Sequence, residues 1–140
     1  VLLVADDGPT EWTQRCGRRA DEVLLLADAD QPPALHETER GFLDRRPERT
    51  EAGEVLVLLH PADRRTPGGT RAWLAPRSVV DHVHVRPALE RDLARLARLQ
   101  NRTAVGIVFA GGGARGLAHL GVWKSLLDRG VEIDCIGGTS

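Results

Sequence analysis

Residues 103–140 constrain the fold of this chain more strongly than any other stretch. The apolar run Ala104–Ala110 has the length and the β-branched content of a buried strand. It leads directly into the loop Gly111–Gly116, in which four of the six residues are glycine. A helical pattern follows until Gly130, and a second apolar run, Val131–Ile136, predicts another buried strand. The order strand, glycine loop, helix, strand predicts an α/β unit with parallel strands.

The helix between these strands is predicted to be amphipathic. Apolar residues recur three or four positions apart on one stripe, and they are Leu117, Leu120, Trp123 and Leu127. The polar residues that fall mostly off this stripe are His119, Lys124, Ser125 and Asp128.

The glycine loop has the chemistry of a site for an anion or a developing oxyanion. Glycines let the backbone approach a ligand and direct its N–H groups outward without side-chain interference. A helix that begins directly after the loop adds unpaired N–H groups and a partial positive charge. After the second strand, Gly138, Thr139 and Ser140 form the first half of a Gly-x-Ser-x-Gly elbow, which exposes a serine hydroxyl. An oxyanion loop and an exposed serine on neighbouring parallel strands are what acyl transfer requires.

The glycine loop and the final Gly-Gly-Thr-Ser resemble the patatin-like phospholipases, and most closely the neuropathy-target-esterase branch of that family. The resemblance implies a serine–aspartate dyad with Ser140 as nucleophile, and an elbow shaped by Gly138 and Thr139. The oxyanion hole that it implies consists of Gly111, Gly112, Gly113, Arg115 and Gly116. The family's general base is an aspartate in a downstream Asp-Gly-[Gly/Ala] motif, which these residues do not include. The family needs no metal or organic cofactor.

A dinucleotide-binding loop is the alternative interpretation of the same glycines. Gly111, Gly113 and Gly116 satisfy the pattern Gly-x-Gly-x-x-Gly between a strand and a helix. The acidic residue expected about twenty positions further on would be Glu132 or Asp134. Both lie early or midway in the second predicted strand, whereas the fingerprint places the acid at its end. From the residues alone, a nucleotide-binding or regulatory module and a purely structural glycine turn both stay open.

The residues before the glycine loop predict an accessory region of the Rossmann-like type. The apolar runs that predict strands of a parallel sheet are Val1–Ala5, Val23–Ala27, Glu54–His60 and Val79–Val85. Helices are predicted at Glu11–Ala20, which Thr10 would cap, and at Leu35–Leu43. Continuous apolar strands separated by helices imply a sheet that is covered on both faces.

The helix predicted at Pro87–Gln100 connects this region to the glycine loop, with proline at its first position. Its basic stripe consists of Arg91, Arg95, Arg98 and Arg102. This stripe either contacts anionic lipid headgroups or is a solvated face balanced by Glu90 and Asp92. The expected domains are an accessory α/β region at 1–88, a connecting helix at 89–102 and an incomplete patatin-like domain at 103–140.

The accessory region also resembles the segment that precedes the catalytic domain in the neuropathy-target-esterase branch. Short matching pieces occur in the family's order, at Trp12–Cys16, Arg19–Asp21, Leu56–His60, Gly69–Thr70, Trp73–Leu74 and His82–His84. The resemblance therefore covers nearly the whole chain. In that family, cyclic-nucleotide-binding modules lie further upstream, and none is recognisable in these residues.

The composition excludes several classes of protein. The 140 residues carry a net charge of −1, which gives no overall attraction to nucleic acid or to a membrane surface. No apolar run approaches the roughly twenty residues that span a bilayer, and no secretory leader is recognisable. Cys16 and Cys135 lack metal-ligand spacing, which predicts two buried free thiols in a reducing compartment. We expect a cytoplasmic piece of a longer protein, with peripheral membrane contact at most.

Histidine and arginine side chains provide three further candidates for chemistry. His82 and His84 share one face of a strand and could ligate a metal, but no third ligand has the spacing, so a solvent-facing pair is the alternative and no metal is assigned. His119 lies one turn into the helix after the loop and is an alternative base, although the family resemblance assigns that role to aspartate. Arg115 would either anchor the loop through carbonyl groups or attract a phosphate ester.

Taken together, the resemblance and the loop chemistry predict a serine esterase that cleaves acyl esters of phospholipids or lysophospholipids. The 140 residues alone are expected to be inactive, because they lack the aspartate and the residues that complete the elbow.

Overall fold

The computed structural model of the protein describes residues 1–45 and 52–139, without the side chains of residues 42–45. The chain divides into two compact units, Val1–Leu89 and Glu90–Ser140. Both units combine helices with parallel strands, which confirms the α/β fold class predicted from the sequence.

The first unit is a three-stranded parallel sheet with helices between its strands. In chain order its elements are α1 (Glu11–Arg19), β1 (Glu22–Asp28), α2 (Glu37–Arg45), β2 (Gly53–Leu59), α3 (Thr70–Leu74) and β3 (Asp81–Val85). Strand β2 lies between β1 and β3, with Leu56 opposite both Leu25 and His82. Because β2 is central, its apolar residues are covered on both faces, and Leu56 and Leu58 are fully buried beside Trp73.

Helix α1 begins at the position that the sequence predicts, because Thr10 caps it. Thr10 Oγ1 accepts the N–H of Thr13 at 3.2 Å, and Thr13 Oγ1 donates to the carbonyl of Gly8 at 2.9 Å. The N–H of Asp6 donates to Thr13 Oγ1 at 3.1 Å. These bonds make the acidic turn before α1 part of the helix cap.

The strand predicted at Val1–Ala5 is wrong. This run has no strand assignment, and most of its side chains are exposed. A hydrogen bond from Trp12 Nε1 to the carbonyl of Val4, at 2.8 Å, ties the run to α1. A strand forms only where a neighbour takes its N–H and C=O groups, and no strand of the described residues pairs with this run.

A buried ion pair joins the loops of the first unit. The guanidinium of Arg77 lies 2.8 Å from the carboxylate of Glu39, measured from Nε to Oε1, and these side chains are 3% and 9% exposed. Arg77 also donates to the carbonyls of Trp73 and Ala34, both at 2.9 Å, and of Pro33 at 3.3 Å. Its guanidinium carbon lies 5.1 Å from the centre of the Trp73 ring. A single cation therefore connects α2, the loop before it and α3.

The second unit contains α4 (Glu90–Gln100), β4 (Gly106–Phe109), a 3₁₀ turn (Gly113–Leu117), α5 (Ala118–Asp128) and β5 (Cys135–Gly138). Strands β4 and β5 pair in parallel, with Gly106 opposite Cys135 and Phe109 opposite Gly138. The strand–glycine loop–helix–strand order predicted from the sequence is therefore confirmed.

Two boundaries in the second unit differ from the prediction. Helix α4 begins at Glu90 rather than Pro87, because residues 87–89 form a turn closed by the bond from the N–H of Leu89 to the carbonyl of Arg86, at 2.8 Å. Strand β5 begins at Cys135 rather than Val131, because the N–H of Val131 bonds to the carbonyl of Leu126 at 3.0 Å. That bond belongs to a Schellman motif with Gly130 in the left-handed conformation. Residues 131–134 therefore form the connection from the end of α5 to β5.

The face of α5 that packs on the sheet also differs from the predicted stripe. The ring of Phe109 in β4 lies 5.6 Å from the ring of His119 and 6.1 Å from that of Trp123, between centroids. The large apolar residues that stay exposed in this region include Leu117, Leu120, Val122, Leu127, Val105, Val108 and Ile136. The prediction of two buried strands is wrong. All residues of β5 are exposed, and those of β4 are exposed or half-buried, because a sheet of two strands and one described covering helix leaves much apolar surface open.

Candidate active site

The glycine loop forms a tight turn between β4 and α5. Gly113 has a φ of 57°, in the left-handed region that glycine adopts without strain, and it begins the 3₁₀ turn. The first N–H group to bond back is that of Arg115, which donates to the carbonyl of Gly112 at 3.2 Å. The N–H groups of Gly113 and Ala114 precede this bond, so the turn itself does not use them. The loop therefore offers backbone donors at the start of a helical segment, as an oxyanion site requires.

The pairing of β4 with β5 brings the glycine loop and the serine turn to one end of the sheet. Phe109 and Gly138 are register partners, and the N–H of Thr139 donates to the carbonyl of Phe109 at 3.0 Å. The loop follows Phe109 after one residue, and Thr139 directly follows β5. Ser140, the predicted nucleophile, lies outside the residues that the structure describes.

The predicted residues of the loop and the elbow are all at this end of the sheet. Gly111 and Gly112 precede the 3₁₀ turn, and Arg115 and Gly116 lie within it. The side chain of Arg115 is exposed, and no hydrogen bond or ion pair of its guanidinium is found within the described parts of the chain. Among these residues, no carbonyl accepts a hydrogen bond from the Arg115 side chain, so the alternative in which Arg115 anchors the loop is not supported. Gly138 is the last residue of β5 rather than part of the turn.

His119 is engaged in packing. Its ring is half-buried against Phe109, on the face of α5 that covers the sheet. The stripe predicted from the sequence missed this position, because that stripe was drawn through Leu120 and Leu127, which the structure leaves exposed.

The two acidic residues considered for a dinucleotide site are committed to other contacts. The carboxylate of Asp134 accepts hydrogen bonds from Arg98 and from the N–H of Val105, and Glu132 lies 2.6 Å from Arg98. Hydrogen bonds from Arg98 hold the pKa of Asp134 below its usual value, against the opposing effect of burial. Asp134 also precedes β5, whereas a ribose-binding acid lies at the end of its strand. The arrangement disfavours a dinucleotide site.

The arginine stripe of α4 is also largely used within the second unit. Arg95 Nε donates to the carbonyl of Asp134 at 3.0 Å, and Arg98 pairs with the side chain of the same residue. Arg91 lies 3.7 Å from Asp92. Arg95 and Arg98 therefore make structural contacts, and Arg102 lies beyond the last residue of α4, so the predicted stripe of four is not continuous. This disfavours a role of the stripe in binding lipid headgroups.

The histidines of the first unit form a pair that the sequence analysis missed. His60 Nε2 and His84 Nδ1 lie 2.8 Å apart, and His84 Nε2 lies 3.2 Å from Thr70 Oγ1. The pairing follows from the register of β2 and β3, which no spacing in the sequence reveals. His82, the partner considered from the sequence, is exposed, and its ring meets that of His84 edge-on. Within residues 1–45 and 52–139 no three histidine, cysteine or acidic side chains are grouped so as to hold a metal ion.

Two remaining expectations concern the thiols and the membrane. Both cysteines are free, but only Cys16 is buried, so the prediction of a buried thiol is wrong for Cys135. Among the helices of the described residues, none is long and apolar enough to cross a bilayer.

A glycine loop between parallel strands, followed by Gly-Gly-Thr-Ser, defines the opening of a patatin-like phospholipase domain. The family model described as "Patatin-like phospholipase" matches residues 107–140. The model described as "Neuropathy Target Esterase family P-loop like domain" matches residues 1–107, which is more than half of the chain. The chain therefore belongs to the neuropathy target esterase family, and its first unit is of the P-loop-like type.

Curated relatives match over the whole chain. Lysophospholipase NTE1 of Yarrowia lipolytica is 35% identical over an alignment 193 positions long, which covers 100% of this chain and 13% of that protein. Patatin-like phospholipase domain-containing protein 7 of Rattus norvegicus is 36% identical, over 100% of this chain and 12% of that protein. Neuropathy target esterase sws of Drosophila melanogaster is 34% identical, with the same coverage of 100% and 12%. The chain thus spans about an eighth of the length of these relatives. No solved structure matches it significantly.

Proposed function

We propose that the chain forms the start of the catalytic domain of a serine esterase that hydrolyses acyl esters of phospholipids or lysophospholipids. Membership of the family supports this, as does the name of the Yarrowia lipolytica relative, a lysophospholipase. The observation that carries the proposal is the parallel pairing of β4 and β5. It brings the strand that ends in the glycine loop beside the strand that leads to Ser140.

In the proposed reaction, the hydroxyl oxygen of Ser140 attacks the ester carbonyl and its proton passes to an aspartate outside this chain. The N–H groups of Gly111, Gly112 and Gly113 would stabilise the oxyanion of the tetrahedral intermediate. Of the other two residues predicted for the oxyanion hole, Arg115 has its N–H bonded to the carbonyl of Gly112, and Gly116 lies inside the 3₁₀ turn. As that intermediate collapses, the ester C–O bond breaks, the aspartate returns its proton to the leaving oxygen, and the lipid alcohol departs, which leaves an acyl-serine. Water then attacks the acyl-serine, which releases the fatty acid and restores the hydroxyl.

The glycines fit this role because the N–H groups at the start of the 3₁₀ turn precede its first internal bond. Thr139 would direct Ser140 through its bond to Phe109, 3.0 Å long. We assign Arg115 to the phosphate ester of the substrate, since its guanidinium is exposed and makes no contact among the described residues.

The proposed domain division keeps an accessory region at 1–88, a connecting helix at 89–102 and the incomplete patatin-like domain at 103–140. From the resemblance we also propose a cytoplasmic enzyme with peripheral membrane contact and upstream cyclic-nucleotide-binding modules.

A fluorophosphonate probe tests the proposed function, because it forms a covalent bond only with an activated serine. The full-length protein that contains this chain should label, and Ser140→Ala should abolish both labelling and hydrolysis of a lysophospholipid. Ser125→Ala is the matched control. Ser125 lies in the same unit, on α5, and its hydroxyl accepts a hydrogen bond from Arg129 one turn further along the chain, so labelling should be unchanged. The 140-residue chain alone should not turn over substrate. Undiminished labelling of Ser140→Ala would contradict the proposal.

A further inference from the structure

The residue directly before β5 is bonded twice to the residue that precedes β4. The N–H of Asp134 donates to the carbonyl of Val105 at 2.8 Å, and the N–H of Val105 donates to Asp134 Oδ2 at 3.0 Å. The side chain of Asp134 is 1% exposed, so water does not compete for these bonds. The starts of the two strands are therefore joined by one residue.

Helix α4 is the third element attached to Asp134. Arg98 reaches the carboxylate with two nitrogens: Nη2 lies 2.7 Å from Oδ1, and Nε lies 3.0 Å from Oδ2. Arg95 Nε donates to the backbone carbonyl of Asp134 at 3.0 Å. Both carboxylate oxygens, the N–H and the C=O of this residue thus have partners, on α4 and ahead of β4. The bidentate pair also sets the orientation of the carboxylate, not only its distance.

This junction lies at the starts of β4 and β5, and it sets the register with which the strands reach the loops at their other end. The strands are short, and the pairing runs only from Gly106 opposite Cys135 to Phe109 opposite Gly138. A slip of one residue would move β5 by about 3.3 Å along β4 and turn its side chains to the other face. In enzymes, misplacement of a reacting group by about 1 Å costs on the order of 100-fold in rate. Because so few hydrogen bonds join β4 to β5, their register depends on the contacts that hold the first residue pair, Gly106 and Cys135.

We propose that Asp134 is a positioning residue, which holds β4 and β5 in the register that aligns the glycine loop with Ser140. The inference rests on the proposed esterase function, because alignment matters only if the loop and the serine share one reaction. Asp134 touches neither substrate nor the reacting atoms. It acts through the two strands.

Substitution by asparagine is the informative change. Asparagine has the same size, but one of its two terminal groups is an NH₂, which donates and cannot accept from Arg98 or from the N–H of Val105. One of these donors is then left facing another donor. Glu132→Gln is the matched control, because Glu132 pairs with the same Arg98, at 2.6 Å, but has a side chain 59% exposed and bonds to no backbone group of β4.

The experiment uses the full-length protein and measures kcat and KM for hydrolysis of a lysophospholipid, the rate of fluorophosphonate labelling, and the unfolding temperature. For Asp134→Asn we expect a folded protein whose kcat and labelling rate fall by about 100-fold, while KM changes little. For Glu132→Gln we expect kcat, KM and labelling rate close to those of the unmodified protein. A role limited to stability would lower the unfolding temperature and leave the kcat of the folded fraction unchanged.

The outcomes separate the two proposals. If Asp134→Asn folds and keeps the kcat of the unmodified protein, the positioning role is overturned and the esterase function stands. If Asp134→Asn does not fold, Arg98→Lys decides, since lysine keeps the charge and loses the two-nitrogen contact; an unchanged kcat there overturns the positioning role as well. If the unmodified protein neither hydrolyses nor labels, the proposed function fails and the positioning role fails with it.

Discussion

Replacing Arg77 by alanine should destabilise the first unit more than any other single change of a charged residue described above. The change removes a guanidinium whose side chain is 3% exposed, and it leaves the carboxylate of Glu39, 9% exposed, without its cation. The carbonyls of Trp73, Ala34 and Pro33 lose their donor at the same time. The contact over the Trp73 ring is also lost.

The size of the effect follows from this burial. Breaking a buried ion pair by removing one partner costs about 3–5 kcal/mol, because the remaining charge stays buried. A unit of this size loses about 4–8 °C of unfolding temperature for each kcal/mol, so the loss should be at least about 12 °C. Amide exchange in β2, which is governed by the stability of this unit, should accelerate by at least about 100-fold.

Arg64→Ala provides the control. Arg64 pairs with Asp30 at 2.5 Å, but the two side chains are 44% and 49% exposed, and such pairs contribute about 0–1 kcal/mol. The assay is native-state hydrogen exchange of residues 55–58 together with circular dichroism on heating. Equal effects of the two substitutions, or a loss of less than about 1 kcal/mol for Arg77→Ala, would refute the argument from burial.

Two other predictions concern the second unit. Because the pKa of Asp134 is lowered in the folded state, its ionised form contributes stability that is fully present above the unfolded pKa, about 3.9, and is lost as the pH falls through the folded value. The difference in unfolding free energy between the unmodified protein and Asp134→Asn should therefore shrink on going from pH 7 to about pH 2; a difference that is constant with pH would count against the ionised pair. Gly113→Ala should destabilise by about 1–2 kcal/mol, because Gly113 has a φ of 57°, whereas Gly121→Ala, in the middle of α5 with open space around it, should stabilise by about 0.5–1 kcal/mol. Thermal unfolding measures both changes, and the same sign for the two would show that backbone conformation is not the deciding factor.

Local patterns predicted the parts of the fold that depend on local physics. The continuous apolar run of β2, the cap at Thr10 and the stop at Gly130 each act through neighbours in the chain, and the structure has each of them at or near the predicted position. The order of elements around the glycine loop was predictable for the same reason.

The predictions that failed depend on contacts between residues that are far apart in the chain. Val1–Ala5 has the composition of a strand, but a strand also needs a partner, which composition does not report. The pairing of His60 with His84 depends on the β2–β3 register. The sequence pattern placed Asp134 inside a strand. Its bonds to Arg98 and Val105, which lie 36 and 29 residues earlier in the chain, could not be predicted from that pattern.

The parallel pairing of β4 and β5 has a kinetic consequence. Two parallel strands cannot be joined by a tight hairpin, so this pair exists only once the whole of residues 110–134 has folded back across the sheet. On the ribosome, the glycine loop therefore emerges well before β5. The edge of β4 that pairs with β5 stays unpaired until β5 has been synthesised and has docked. A substitution that slows docking of α5 would lengthen the period in which that edge is open to other chains, even if the final protein were unchanged in stability.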